Sequence, residues 1–124
     1  MRSVIADSSC LYQHNEAQVI SPLLKSLAEQ NYPKNCYTVY VSCDNCQDNT
    51  ADLARTNGAV ALERFDKERN GKTWNVRWAL TQLPMEKADA LAMFDADNLV
   101  DANFLMNMNN YMELHPEAEA IQGV

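Results

Sequence analysis

Ala90-Leu91-Ala92-Met93-Phe94-Asp95-Ala96-Asp97-Asn98 joins a short apolar run to an abrupt acidic end. A run of this length suits a strand buried on both faces. Asp95 and Asp97 are two residues apart. If extended backbone persists through them, both side chains project from one face, with Ala96 opposite. Two carboxylates on one side suit a hard divalent cation with oxygen ligands, Mg²⁺ or Mn²⁺. Such an ion bridges to phosphate oxygens and neutralises the charge that builds on a departing diphosphate.

Working outward, apolar runs alternate with helical stripes. Ile20, Leu23, Leu24 and Leu27 recur at i, i+3, i+4 and i+7, one face of a helix. Ser21-Pro22 is read as its cap and first residue, and Asn31-Tyr32-Pro33 as its end. Tyr37 to Cys43 is rich in β-branched and aromatic residues and reads as a strand. Asp48 is placed to cap a short helix through Thr56, closed by Asn57-Gly58, and Ala59 to Leu62 follows as a short buried strand. A charged loop, Arg64 to Asn70, leads to Gly71-Lys72. Val76, Ala79, Leu80 and Leu83 then form another helical face, stopped by Pro84. After the acidic triplet, Asp101 is the expected cap of a helix carrying Leu105, Met108 and Met112, which His115-Pro116 ends. Ala120 to Gln122 reads as the start of one more strand. Helices alternating with short buried strands imply a parallel sheet covered on both faces, with right-handed crossovers.

In an open parallel sheet, ligands bind beyond the carboxyl ends of the strands. His14-Asn15-Glu16 follows the first candidate strand, Asp44-Asn45-Cys46-Gln47-Asp48 the second, and Asp95-Ala96-Asp97-Asn98 the fourth. Carboxylates gathered on one edge repel unless a cation or hydrogen bonds hold them.

The totals set bounds. A chain of 124 residues with 47% hydrophobic content supports one folded domain. A net charge of −7 argues against nucleic acid as a partner and against docking on an anionic membrane by charge alone. It leaves room for an anionic ligand held through a metal. No segment reaches the roughly 20 apolar residues of a membrane span, and the first ten residues hold too short an apolar run for a signal peptide. The expected setting is cytoplasmic, with Cys10, Cys36, Cys43 and Cys46 as reduced thiols. Cys43-Asp44-Asn45-Cys46 is formally C-x-x-C, but without a second pair it reads as two small residues at a strand end.

Competing motifs fail on their spacing. A calcium loop starting at Asp95 needs Asp or Asn then Gly where Leu99 and Val100 stand; one starting at Asp44 meets Asn49 and Arg55 at its sixth and twelfth positions. Gly71-Lys72-Thr73 resembles the end of a P-loop, but Asp66 occupies the first glycine position. Gly71 reads instead as a helix start or a close approach to a ligand. Trp74 and Trp78 share a helix face at i, i+4, and read as core packing or an interface before sugar stacking. No catalytic constellation is legible from spacing.

His14-Asn15-Glu16, Ser26-Leu27 with Gln30-Asn31-Tyr32-Pro33, Asp44 through Thr50, Gly71-Lys72 and Phe94 through Asn98 occur in that order. Together they resemble the family-2 glycosyltransferases of the GT-A fold, from about Leu11 to Gly123. The resemblance implies a three-layer α/β/α domain with a mostly parallel, Rossmann-like sheet. It implies metal-dependent binding of a nucleotide sugar, a UDP-hexose or UDP-N-acetylhexosamine, for inverting transfer to an acceptor hydroxyl. Gln13 to Glu16, with His14 and Asn15, would border the base and ribose; Asp44 would bind the base, and Lys72 would lie near the nucleotide. Asp95 would contact ribose or the metal-bound diphosphate, and Asp97 would ligate the metal. Asp48 and Thr50 would shape the loop and cap the helix.

Two departures bear on this. Ile5 through Gln13 is more polar than the family's opening strand, so the first strand is expected to be short, replaced or displaced. The catalytic base and the Gln-x-x-Arg-Trp-type motif of the acceptor half are not found in the sequence, so 1–124 is expected to be one donor-binding domain, truncated, with no base assigned. Two rivals stand beside this reading. A sugar-1-phosphate nucleotidyltransferase should carry a glycine-rich segment near its first strand, yet residues 1–20 hold no glycine. A non-catalytic module would instead use an exposed sheet edge or apolar patch to meet a partner or a second copy of itself.

Overall fold

The computed structural model describes residues 1–11, 17–46 and 49–119. Four strands, β1 (Val4–Leu11), β2 (Tyr37–Asp44), β3 (Val60–Arg64) and β4 (Ala90–Asp95), alternate with helices α1 (Ala17–Ala28), α2 (Thr50–Thr56), α3 (Lys72–Gln82) and α4 (Phe104–Leu114). The strands form one parallel sheet in the order β3-β2-β1-β4. Helical crossovers between parallel strands place helices on both faces. However, β4, at the sheet edge, has no buried residue and its Met93 is exposed, so the buried strand expected at Ala90 to Phe94 is only partly covered.

Strand alternation sorts the core. Ala6, Cys10, Val41 and Cys43 face Ile20, Leu23, Leu24 and Leu27 of α1 and Ala51 and Ala54 of α2. On the same face, Val4 meets Leu105 and Phe104 of α4. The opposite face carries Ile5, Tyr40, Leu62 and Leu91 under Ala79, Trp78 and Leu83 of the α3 region. The result is three layers, α/β/α, as the alternation of patterns implied. Gln30 ties the end of α1 to the start of α4: Nε2 donates to the Asp101 carbonyl at 2.6 Å, and Oε1 accepts the Leu105 N–H at 3.1 Å.

Several local expectations change. The first strand is neither short nor displaced. It is eight residues long, buried throughout, and pairs with both β2 and β4. Its polar residues are tolerated partly because Asp7 has a partner, the Ser42 hydroxyl at 2.9 Å. Pro22 lies inside α1 rather than at its first position. Its ring gives up one helical hydrogen bond, and the four fully buried apolar residues of α1 outweigh that loss. β3 begins one residue later than expected and extends to Arg64, because that side chain has a buried partner. Leu80 is exposed, and Asn75 takes the inner position of α3 by donating to the Ser42 carbonyl at 2.9 Å. Asn103, not Asp101, precedes the first residue of α4; the Asp101 carboxylate instead accepts the Asn103 N–H at 2.8 Å. Asp48 and the strand expected at Ala120 to Gln122 lie outside the described residues.

Candidate functional site

The carboxyl ends of β1, β2, β3 and β4 lie along one edge of the sheet, since all four strands run the same way. Asp44 ends β2 and has no exposed surface. Its Oδ1 accepts from Arg64 Nη1 at 2.6 Å, and its Oδ2 accepts the Gly71 N–H at 2.9 Å. The other arm of the Arg64 guanidinium donates to the Arg69 carbonyl and lies 3.5 Å from Asp66 Oδ2.

The chain between β3 and α3 therefore arches back over the end of β2. Asn45 fastens it from the other side. Its Nδ2 donates to the Asp66 carbonyl at 2.9 Å, and its Oδ1 accepts the Asp66 N–H at 2.8 Å. Asn45 holds φ +56°, a left-handed conformation that asparagine tolerates better than most residues. Inside the arch, the Arg69 and Glu68 N–H groups donate to Asp66 Oδ1, each at 3.0 Å, and hold its carboxyl below the usual carboxylate range. Gly71 closes the arch at φ +105°, where only glycine is unstrained.

α3 starts at the next residue, and Lys72 Nζ stands 2.5 Å from Asp95 Oδ1. Both side chains are more than half exposed. Asp95 is the last residue of β4. A turn follows, in which the Asn98 side chain accepts the Asp95 N–H at 2.9 Å and the Asn98 N–H returns to the Asp95 carbonyl at 3.0 Å. The extended geometry assumed for Asp95 and Asp97 therefore stops at Asp95: β4 pairs with β1 only as far as Ser9↔Asp95, and the chain turns where that pairing ends. Ala96 is buried and Asp97 is exposed in the turn. A groove of about 1010 Å³ runs along β4, with Asp7, Ser9, Lys72, Met93, Asp95 and Asn98 in its lining.

The structure thus brings Asp44, Lys72, Asp95 and Asp97 to one edge and joins the first three through the Gly71-Lys72 dipeptide. His14, Asn15 and Glu16 lie outside the described residues. In the sequence Arg64 reads only as the start of a charged loop; a lone cation at the end of an apolar run, with an acid ending the preceding strand, was the available signal. Trp74 and Trp78 separate: Trp78 packs against the core, whereas Trp74 sits on the surface with Arg69 and Arg77 at 5.3 and 5.1 Å from its ring. No disulfide joins the cysteines, and Cys43 is held protonated by a hydrogen bond with Cys46 and by burial, which push its thiol up.

Among the described residues, no group of three His, Cys, Asp or Glu side chains is arranged to hold a metal. Asp95 and Asp97 still offer the chemistry a hard cation takes: exposed carboxylate oxygens, one already neutralised by an ammonium. An octahedral ion bound through one or two carboxylates completes its shell with water and substrate phosphate.

The model of the glycosyltransferase-like family 2 matches residues 10–124. The chain belongs to that family. This family-2 chain is 34% identical over 100 residues to a beta-monoglucosyldiacylglycerol synthase of Nostoc sp., and 33% identical to the same-named enzyme of Trichormus variabilis. Each match covers 76% of this chain and 20% of the relative, so the chain spans about a fifth of those proteins. Solved structures with the same fold include mannosyltransferase PcManGT from Pyrobaculum calidifontis, in complex with GDP-Man and Mn²⁺, with a TM-score of 0.72 at 23% identity over 90% of this chain and 32% of that one. S. aureus TarS in complex with UDP gives 0.69 at 24% identity, over 92% and 33%. Glucosyl-3-phosphoglycerate synthase from Mycobacterium tuberculosis, with Mn²⁺, UDP and phosphoglyceric acid, gives 0.69 at 19% identity, over 98% and 41%. The sheet and its flanking helices are therefore a GT-A fold. No helix among the described residues is long and apolar enough to cross a membrane.

Proposed function

We propose that this chain is the donor-binding part of an inverting glycosyltransferase that takes a UDP-hexose or UDP-N-acetylhexosamine with Mg²⁺ or Mn²⁺. The observation that carries the reading is the Lys72–Asp95 pair at the carboxyl end of β4, with Asp97 exposed beside it. Asp95 and Asp97 would hold the metal, which when bound supplies Lewis-acid stabilisation of the departing diphosphate.

The chain's own residues do the rest. Lys72, at the start of α3 and beside Asp95, would offer its ammonium to a phosphate oxygen of the donor. Asp44 is assigned to the base end. Among the described residues each of its oxygens has one partner and keeps a lone pair for a ring N–H. Because Asp44 has no exposed surface, a base reaches it only when the chain around it gives way. His14, Asn15 and Glu16 are assigned to the base and ribose on the family resemblance. No general base is assigned.

Calorimetric titration of the 124-residue chain with UDP and Mn²⁺ tests the reading. Expected is saturable UDP binding that strengthens with Mn²⁺ and loses that gain in Asp97→Ala. Absence of binding at millimolar UDP and Mn²⁺ sinks it.

A further inference from the structure

The arch of residues 65–71 is anchored at both ends on one buried ion pair. Arg64 Nη1 holds Asp44 Oδ1 at 2.6 Å, and Asp44 Oδ2 takes the Gly71 N–H at 2.9 Å. The second arm of the guanidinium donates to the Arg69 carbonyl, in the middle of the arch. The Arg64 side chain is 9% exposed and that of Asp44 not at all. A guanidinium serves both positions because its N–H groups form a planar fork; an ammonium is a single point of charge. The residue after Gly71 is Lys72, with its Nζ 2.5 Å from Asp95 Oδ1. Where α3 begins, and so where Lys72 stands, is set by what Arg64 grips.

We infer that Arg64 is a positioning residue of the donor site: through Asp44 and the arch it fixes Lys72 at the diphosphate end, without touching the ligand itself. This rests on the donor-site reading above and extends it to a residue outside the family-resemblance motifs. It also gives Asp44 a second task, because its Oδ2 anchors the Gly71 amide.

The test uses a ligand with no base, pyrophosphate with Mn²⁺, titrated into the 124-residue chain beside UDP with Mn²⁺. Four proteins are compared: the parent, Arg64→Lys, Lys72→Met and the double variant. Arg64→Lys keeps a cation beside Asp44, so no buried carboxylate loses its counter-charge, but it removes the fork. Arg64→Lys is expected to weaken Mn²⁺–pyrophosphate about 10-fold or more, as loss of a supporting contact around a metal site does. Lys72→Met weakens it too, and the double variant is no weaker than Lys72→Met within about twofold, because Arg64 acts through Lys72.

A merely structural role for Arg64 predicts additive losses, and that result overturns the inference. So does a parent-like pyrophosphate affinity in Arg64→Lys alongside a weakened Lys72→Met, which leaves the donor site standing. A parent chain that binds neither ligand removes the donor-site reading and the inference together. Should Arg64→Lys fail to fold, Asp66→Ala tests the arch that Arg64 grips, since it frees the Arg69 and Glu68 N–H groups: a loss of pyrophosphate affinity not additive with Lys72→Met upholds the inference, and a parent-like affinity overturns it.

Discussion

Replacing Asp7 with asparagine should stabilise the fold at neutral pH, and the gain should fade as the pH falls. Asp7 is 2% exposed in the middle of β1, on the face covered by α3. Burial raises its carboxyl above the ordinary value of 3.8, and the hydrogen bond from Ser42 only partly opposes this. The folded state therefore binds the Asp7 proton more tightly than the unfolded state does. Stability from this group is complete below pH 3.8 and declines as the pH rises to the folded-state value, above which the loss is constant. Each unit by which the folded value exceeds the unfolded one costs about 1.4 kcal/mol at neutral pH. The asparagine carries no charge to desolvate and keeps an acceptor for the Ser42 hydroxyl. Urea unfolding of both proteins from about pH 4 to about pH 8 gives the difference curve, in which the other carboxylates cancel. The curve should start near zero and rise toward neutral pH with a slope of at most about 1.4 kcal/mol per unit. A difference independent of pH, or an asparagine variant less stable than the parent at neutral pH, refutes the reasoning.

Two further outcomes follow from the core. Leu24→Ala, at a side chain 1% exposed between α1 and the sheet, should cost about 2–5 kcal/mol in denaturant unfolding, whereas Leu114→Ala, at 78% exposure, should cost almost nothing. Thiol labelling at about pH 8 should modify partly exposed Cys36 in the folded chain and reach Cys43 only on unfolding, because burial and the bond with Cys46 keep Cys43 protonated; equal rates at the two positions would contradict this.

What the sequence made legible was whatever depends on local pattern. The apolar runs at Tyr37–Cys43 and Ala90–Phe94 became β2 and β4, and the stripe from Ile20 to Leu27 became the inner face of α1. What it hid depends on partners far along the chain. Asp7-Ser8-Ser9 looked too polar for a central strand because the Ser42 hydroxyl that meets Asp7 is 35 residues away. Arg64 looked like a loop residue because the acid that buries it stands 20 residues earlier. The Asp95/Asp97 geometry failed for a related reason: β1 runs on to Leu11, but the Asn98 side chain takes the Asp95 N–H and the chain turns away from β1 at Ser9↔Asp95. The site's residue types were therefore visible while its wiring was not.

Charge shows the same division between average and arrangement. The chain is −7 overall, yet residues 64–77 hold five of its ten cations (Arg64, Lys67, Arg69, Lys72, Arg77) against two acids, leaving −10 for the rest. This basic segment is the arch and the first turns of α3. Two of its cations are already committed to acids: Arg64 to Asp44 and Lys72 to Asp95. Arg69 and Arg77 flank Trp74 on the surface. An anion approaching Lys72 therefore meets one basic segment and two exposed carboxylates, Asp95 and Asp97, on the adjoining turn. Lys72 cannot neutralise both a diphosphate and Asp95, so a diphosphate entering alone would be opposed by the carboxylates. A divalent ion held by these carboxylates would reverse the local sign. The metal dependence proposed above is therefore supported by the charge arrangement itself, whether or not the two aspartates point the same way.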